Sequence, residues 1–214
     1  SKIYANISFA SLGTMLEIAP AQAEAIASRM VCEGRLAAII DQVDVEIERA
    51  SIRLLSLKPS DEYNIRSVLT IVKINNELER IADCAVDIVE ALPPQGDNEP
   101  IPNTYRVMAN SVVGMLRDAN QAMRDRETAL AQRVLSFDDT VDEFKVQLME
   151  DAQGKLAEGT WSVPYAMSLL NLTRLLERIA DHCTNICEQL IYLETGKIVR
   201  HLPTGWSEPS LPDS

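Results

Sequence analysis

One stretch of six residues occurs twice in this chain of 214 residues. The sequence LERIAD spans residues 78–83 and returns at residues 176–181, an offset of 98 positions. The agreement extends to Ile88 and Ile186, and to Glu90 and Glu188. Identity over six consecutive positions is difficult to obtain by chance. We therefore predict an internal duplication, in which each copy forms one structural unit.

The spacing of apolar residues predicts helices almost throughout the chain. Leu, Ile, Val, Ala and Met recur every three or four positions, which is typical of amphipathic helices and indicates an all-α fold. Helix-breaking residues divide the pattern into six predicted helices, at about residues 4–31, 35–57, 61–92, 103–124, 126–156 and 163–196. Ser60, Asp125 and Ser162 are the predicted N-caps of the third, fifth and sixth helices.

The sequence PPQGDNEP at residues 93–100 interrupts the helical pattern near the middle of the chain. Paired prolines and a glycine cannot continue a helix. We therefore predict a linker at residues 93–102 between a first three-helix repeat at 1–92 and a second at 103–201. The predicted architecture is two tandem three-helix bundles related by a pseudo-twofold axis. Residues 202–214, with three prolines and several serines, are predicted to be a flexible tail.

The composition excludes several classes of partner and compartment. With 32 acidic and 20 basic residues, the chain has a formal net charge of −12, which repels nucleic acids and anionic lipids. The longest apolar runs are far shorter than the roughly 20 residues that span a bilayer. The N-terminal sequence lacks the layout of a secretory signal, and four cysteines are too few for a disulfide scaffold. We expect a soluble cytoplasmic protein with reduced thiols.

The repeated motif places acidic residues side by side on a helix. Residues four positions apart share a helix face, and like charges at this spacing destabilise a helix unless an arginine or a bound cation compensates. A solvated surface is the ordinary interpretation of one such pair, but its repetition among apolar residues favours a site. The rows are Glu79, Asp83 and Asp87 in the first copy, and Glu177, Asp181 and Asn185 in the second.

Counting along the predicted helical hairpins brings further acids to these rows. Asp142 and Glu177 each lie about 17 residues from the turn at residues 159–160, so they are expected at the same height. Asp138 is then expected to lie level with Asp181, one turn further out. The same count in the first half places Asp41 opposite the Glu79 row.

The first predicted site has one carboxylate fewer than the second. The residue one turn before Asp41 is Ala37, and Asp44 lies about one turn too near the end of the hairpin. Clusters of oxygen ligands suit hard cations such as Mg²⁺, Ca²⁺, Mn²⁺ or ferric iron, whereas zinc usually brings His or Cys ligands. The acids therefore predict two cation sites of unequal completeness.

Other residues that bear chemistry are expected to have structural roles. His182 points about 100° away from the acid row, so packing or capping is favoured over metal ligation. Cys183 and Cys187 share a helix face but lack a second pair of ligands, and we expect them in the core. The sequence contains no phosphate-binding loop, nucleophile elbow or Glu-x-x-His pair, so we expect no enzymatic activity.

The chain resembles the PhoU family, the cytoplasmic regulators of bacterial phosphate uptake. The resemblance covers about residues 35–202 and is carried by ERIAD at 79–83, ERIADHCTNICE at 177–188 and GKIVRH at 196–201. It implies a six-helix protein that binds multinuclear iron, or other metals such as zinc, through its acidic motifs. The implied ligands are Asp41, Glu79, Asp83 and Asp87 in the first half, and Asp138, Asp142, Glu177 and Asp181, with Asn185 as a weaker ligand, in the second.

The resemblance also implies a function through protein contacts. PhoU proteins restrain the ATP-driven phosphate transporter and help to hold the partner sensor histidine kinase inactive when phosphate is plentiful. The expected partners are thus the ATPase subunit of the transporter, the kinase and a second copy of the chain in a homodimer. Two alternatives stay open: a carboxylate-bridged metalloenzyme that uses the same acids, and a soluble PhoU-like domain of a sodium–phosphate transporter.

Overall fold

The computed structural model describes residues 35–57, 61–92, 101–202 and 205–207, with side chains between Gln42 and Arg200. The predicted helix at 4–31, the linker at 93–100 and the end of the tail lie outside these ranges. Within them the chain forms five helices, which confirms the all-α prediction. They are α1 (Arg35–Ser56), α2 (Glu62–Ala91), α3 (Asn103–Asp125), α4 (Thr128–Ala157) and α5 (Val163–Thr195). No described helix carries an apolar stretch long enough to cross a bilayer.

The ends of α5 follow the prediction. The hydroxyl of Ser162 accepts a hydrogen bond from the backbone N–H of Tyr165 at 3.3 Å, and Pro164 lies in the first turn. Gly196 ends the helix in the left-handed conformation, with φ of 74°. The atoms nearest to an added Cβ at Gly196 belong to the flexible end of the Arg66 side chain, which can shift, so the positive φ is what favours glycine here.

Two other helix starts differ from the prediction. Asp61, and not Ser60, is the N-cap of α2, and its carboxylate accepts a hydrogen bond from the N–H of Asn64 at 3.2 Å. Asp125 is the last residue of α3, Arg126 turns the chain in the left-handed conformation, and Glu127 precedes α4. Adjacent Ser and Asp residues are almost equally good caps, so the sequence alone does not choose between them.

The beginning of the predicted tail forms a small β-hairpin. Strands β1 (Arg200–Leu202) and β2 (Gly205–Ser207) pair antiparallel, with Arg200 opposite Ser207, and β2 lies against α4. This differs from the predicted flexible tail after residue 201. The prediction of a flexible tail rested on its prolines and serines. Strand pairing depends instead on backbone hydrogen bonds between the two strands, which composition does not reveal.

Helices α3, α4 and α5 form a continuous apolar core, to which α2 adds Ile74, Ile81 and Cys84. Its fully buried side chains include Met108 and Val112 from α3, Leu135 and Leu148 from α4, and Leu169 from α5. Each helix contributes the apolar face that the three- and four-residue spacing predicts. Tyr165 is also buried and meets the ring of Trp161 edge-on, with 5.3 Å between the centroids.

Helix α2 joins the two halves by running antiparallel along α5. Near one end, Arg66 lies 5.6 Å above the ring of Tyr192 and donates to the Tyr192 carbonyl at 3.4 Å. Further along, Glu77 meets His182. Helix α1 packs on α2, where the side-chain amide of Asn75 donates to Asp44. The α1–α2 hairpin carries exposed large apolar side chains at Ile52, Leu54, Leu55, Leu57, Tyr63, Ile65 and Leu69.

Candidate functional site

A lysine lies within the acidic patch of the second half. The ammonium of Lys145, on α4, donates to the carboxylate of Asp142 at 2.9 Å and also to that of Glu177 on α5. Burial lowers the pKa of Lys145, but its hydrogen bonds to Glu177 and Asp142 outweigh this effect and raise the pKa overall. The lysine is therefore charged at neutral pH, and it forms ion pairs with Asp142 and Glu177, which are two of the predicted metal ligands.

Asp181 belongs to the same patch. Partial burial is the largest effect and raises the pKa of Asp181, and the negative charges of Glu177 and Asp142 raise it further. The charges of His182 and Lys145 lower it, but they do not outweigh the other effects. Asp138 lies within electrostatic range of Cys183, two positions beyond Asp181 on α5. The structure thus brings Asp142, Glu177 and Asp181 together and places Asp138 towards the far end of the patch.

This patch does not fit a bound metal in the arrangement observed. A divalent cation needs several oxygen ligands converging on one point. Among the described residues, no three His, Cys, Asp or Glu side chains are arranged to hold a metal ion. The ammonium of Lys145 already contacts Asp142 and Glu177. A metal would have to displace it to reach the same oxygens.

The first acidic patch differs at the position that matches the lysine. Residue 47, which is 98 positions before Lys145, is a buried isoleucine. Glu79 is half-buried, whereas Asp83 and Asp87 are exposed along α2. The contact of Asp44 with Asn75 sets a backbone register that brings residue 41 to about the height of Glu79, as counted from the sequence. The side chain of Asp41 lies outside the described part.

Asn185 and His182 lie at the interface between the halves. The amide of Asn185 donates to Glu77 Oε2 at 3.0 Å, and His182 Nδ1 lies 2.7 Å from the same oxygen. Asn185 therefore faces α2, which differs from its predicted place as a weak ligand in the second patch. His182 is buried in this contact, which confirms a packing role.

Glu77 is a key residue that the sequence reasoning missed. Burial acts to raise its pKa, but the hydrogen bonds of His182 and Asn185, with the charges of His182 and Arg80, lower it overall. A signal was present, because Glu77 lies three residues after Ile74 and four before Ile81, both of them buried. A charged residue at an apolar position of a helix indicates a buried polar partner.

The sequence analysis also missed Lys145, which lies three residues after a second repeated pattern. Asp-x-Val-Asp occurs at residues 41–44 and again at 139–142, with the same offset of 98. This alignment matches Asp142 with Asp44 instead of Asp41, and it matches Lys145 with Ile47. The second acidic patch therefore contains a lysine at the position where the first has an isoleucine, so the two patches differ in charge.

Cys183 and Cys187 pack in the core, as predicted, and Cys84 does so too. Cys84, Cys183 and Cys187 are free thiols with no exposed surface. Burial, with smaller contributions from Asp118 and Glu188, raises the pKa of Cys187 to about 12. Because the thiolate is the reactive form, such thiols are inert at neutral pH.

The family model for the PhoU domain matches residues 12–92 and again residues 105–190, one match in each half. The chain belongs to the PhoU family. Two curated PhoU relatives are each named a phosphate-specific transport system accessory protein PhoU homolog. The one from Thermotoga maritima is 30% identical over 170 residues, which covers 78% of this chain and 73% of the relative. The one from Clostridium acetobutylicum is 35% identical over 164 residues, or 75% of each chain.

Solved PhoU structures have the same fold. The crystal structure of the phosphate transport system regulatory protein PhoU from Streptococcus pneumoniae matches with a TM-score of 0.73 and 26% identity, covering 88% of both chains. The structure of PhoU from Pseudomonas aeruginosa gives the same TM-score and identity over 81% of this chain and 83% of the other. The helical arrangement of this PhoU chain is thus that of the family.

Proposed function

We propose that this chain is a non-enzymatic accessory protein of phosphate transport. In this role it restrains uptake by the ATP-driven phosphate transporter and keeps phosphate-starvation signalling off when phosphate is plentiful. The observation that carries the proposal is the match of both halves to the PhoU domain. Relatives with 30% and 35% identity are named accessory proteins of the phosphate-specific transport system, which supports the same role.

The proposed partners are the ATPase subunit of the transporter, the sensor histidine kinase and a second copy of the chain. A cytoplasmic protein of this kind would reach the membrane only through these partners. Such an adaptor acts through contact surfaces on its folded helices. The net charge of −12 disfavours nucleic acids as partners.

Co-purification tests this proposal. The tagged full chain is expected to retain the transporter ATPase or the sensory region of the kinase, and a tagged acidic helical protein of similar charge is the control. Loss of the chain in cells is expected to raise expression of a phosphate-starvation reporter in phosphate-rich medium. Capture of neither partner, together with an unchanged reporter, would contradict the adaptor role.

The metalloenzyme alternative predicts a different result. If the acids form a catalytic centre, the metal-loaded protein turns over phosphate esters or reduces dioxygen, and Asp181→Ala abolishes that activity. We expect no such turnover above the rate of the metal ion alone. A phosphatase or oxidase activity that disappears in Asp181→Ala, but persists in a variant of the exposed Asp139, would replace the adaptor proposal with the enzyme.

Metal binding is a separate part of the proposal. We propose that iron or zinc, with Mg²⁺ and Ca²⁺ as alternatives, binds through Asp41, Glu79, Asp83 and Asp87 in the first half. In the second half Lys145 opposes binding, because it contacts Asp142 and Glu177. Elemental analysis of metal-loaded protein is expected to show a larger loss for Glu79→Ala with Asp83→Ala than for Glu177→Ala with Asp181→Ala. No metal above background in the unmodified chain would contradict it.

A further inference from the structure

The two helices that join the halves carry the same motif. LERIAD spans residues 78–83 of α2 and 176–181 of α5, and Ile81 and Ile179 are buried in the two copies. Because α2 and α5 run antiparallel, a contact between residues i and j on one side of their interface has an equivalent between i + 98 and j − 98 on the other. Such an interface is nearly self-complementary. By shape alone, two α2 helices from different copies, or two α5 helices, can pair in the same way.

The two sides of this interface differ in polarity. On one side, Glu77 Oε2 lies 2.7 Å from His182 Nδ1 and accepts a hydrogen bond from the amide of Asn185 at 3.0 Å. The side chains of Glu77 and His182 are only 17% and 10% exposed. The equivalent pair on the other side, by the offset of 98, is Leu175 with Cys84, and both residues are buried. One side of the interface is therefore polar at this position, and the other is apolar.

Pairing of like helices destroys the polar match. If α2 packs on α2 of a second copy in the same register, each Glu77 lies near Asp87 of the other copy and has neither of its donors. A carboxylate enclosed without a donor or a cation is strongly destabilising, and a second carboxylate nearby adds repulsion. If α5 packs on a second α5, His182 and Asn185 lie against Leu175 and lose their acceptor. Only the pairing of α2 with α5 satisfies all three polar side chains.

We propose that Glu77, His182 and Asn185 select the partner of each half: they direct α2 to α5 and exclude the pairing of like halves between two copies. Selection of this kind depends on the cost of the wrong pairs more than on the strength of the right one. Within one chain, α2 and α5 also meet at a higher effective concentration than helices of separate chains. A second copy must then associate through another surface. Because this selection concerns the two halves of one chain, it lies beyond the accessory role.

Refolding of the full chain from urea, at a series of protein concentrations, tests the proposal because the helices then choose their partners again. Size-exclusion chromatography with light scattering measures the mass of each species. The unmodified chain is expected to return to the mass that it had before unfolding. Glu77→Leu gives α2 the residue type that α5 carries at the same repeat position, Leu175. A species of twice the original mass is expected to become at least about tenfold more abundant, since no enclosed carboxylate opposes like pairing.

A double variant separates partner selection from stability. Glu77→Leu with His182→Cys copies the apolar pair of Leu175 and Cys84 onto the polar side, so that all three helix pairings become alike. This variant is expected to recover resistance to urea relative to Glu77→Leu, because no histidine is left without its acceptor, and still to form the larger species. A contact that served stability alone would predict a return to the mass of the unmodified chain, and that result would overturn the proposal.

Glu62→Leu is the control for a new leucine on α2. The side chain of Glu62 is 89% exposed, and the variant is expected to keep the mass of the unmodified chain. Circular dichroism controls for folding, and if Glu77→Leu does not fold, the double variant decides. An unchanged mass in the folded variants, or an equal increase in Glu62→Leu, would also overturn the proposal. Because this test contains no partner protein, its failure would leave the accessory role intact, and failed co-purification would leave partner selection intact.

Discussion

The two halves share a motif but differ in what surrounds it. In the second half, α3, α4 and α5 supply most of the apolar core, which also includes residues of α2, and Lys145 joins the acids of α4 and α5. In the first half, the described hairpin of α1 and α2 exposes apolar side chains, and the matching position is Ile47. A duplicated backbone can therefore keep its acidic rows while a single position changes their charge balance.

The largest expected effect lies in the core of the second half. Leu169→Ala removes a side chain with no exposed surface and is expected to lower the free energy of unfolding by about 2–5 kcal/mol, through lost burial and a residual cavity. Urea denaturation followed by circular dichroism measures the change. Val163→Ala, at a position that is 64% exposed, is the control, with an expected change below about 0.5 kcal/mol. Equal effects would show that the core assignment is wrong.

The apolar face of the first half gives the next test. Leu69 is 49% exposed among the described residues, and the predicted helix at 4–31 is expected to cover this face. Leu69→Ala is then expected to lower the free energy of unfolding by about 1–3 kcal/mol, more than its exposure alone suggests. The same denaturation experiment measures it, again beside Val163→Ala. A change near zero would contradict a three-helix first half, and the two halves would then differ in how their apolar faces are covered.

The contact between the halves is expected to have a similar or slightly smaller effect. Glu77→Ala leaves His182 and Asn185 without their shared acceptor and is expected to lower the free energy of unfolding by about 1–2 kcal/mol. The control is Glu62→Ala, which breaks an exposed pair with Arg66 and is expected to change stability by less than about 0.5 kcal/mol. If the two variants behave alike, Glu77 does not hold the halves together.

Replacement of Lys145 has the smallest expected effect on stability, but it tests the difference between the two halves most directly. Lys145→Met is expected to reduce stability by about 0–1 kcal/mol without metal, because the side chain is partly exposed. It is also expected to increase metal binding by the second half, since Asp142, Glu177 and Asp181 lose their internal cation. Lys155→Met, which removes an exposed ion pair with Glu158, is the control. Unchanged metal content would contradict the competition between Lys145 and a metal.

The sequence predicted local features well and contacts between distant segments less well. The α5 caps at Ser162 and Gly196 follow from residue type, and the nearness of Asp142 and Glu177 follows from the constant rise of a helix along a hairpin. The N-cap of α2 shifted by one residue because Ser60 and Asp61 are both suitable. The contact of Glu77 with His182 joins residues 105 positions apart, and no local pattern indicates which helix faces which.

The sequence by itself determined the helices, the duplication and the acidic rows. Helical hydrogen bonds join residues four positions apart, so the information that specifies them is local and repeats with the motif. Only the tertiary structure decided that Lys145 lies between the acids and that Asn185 faces Glu77. The contact of Asn185 with Glu77 depends on the packing of α2 against α5, which the combined shapes of many side chains determine together.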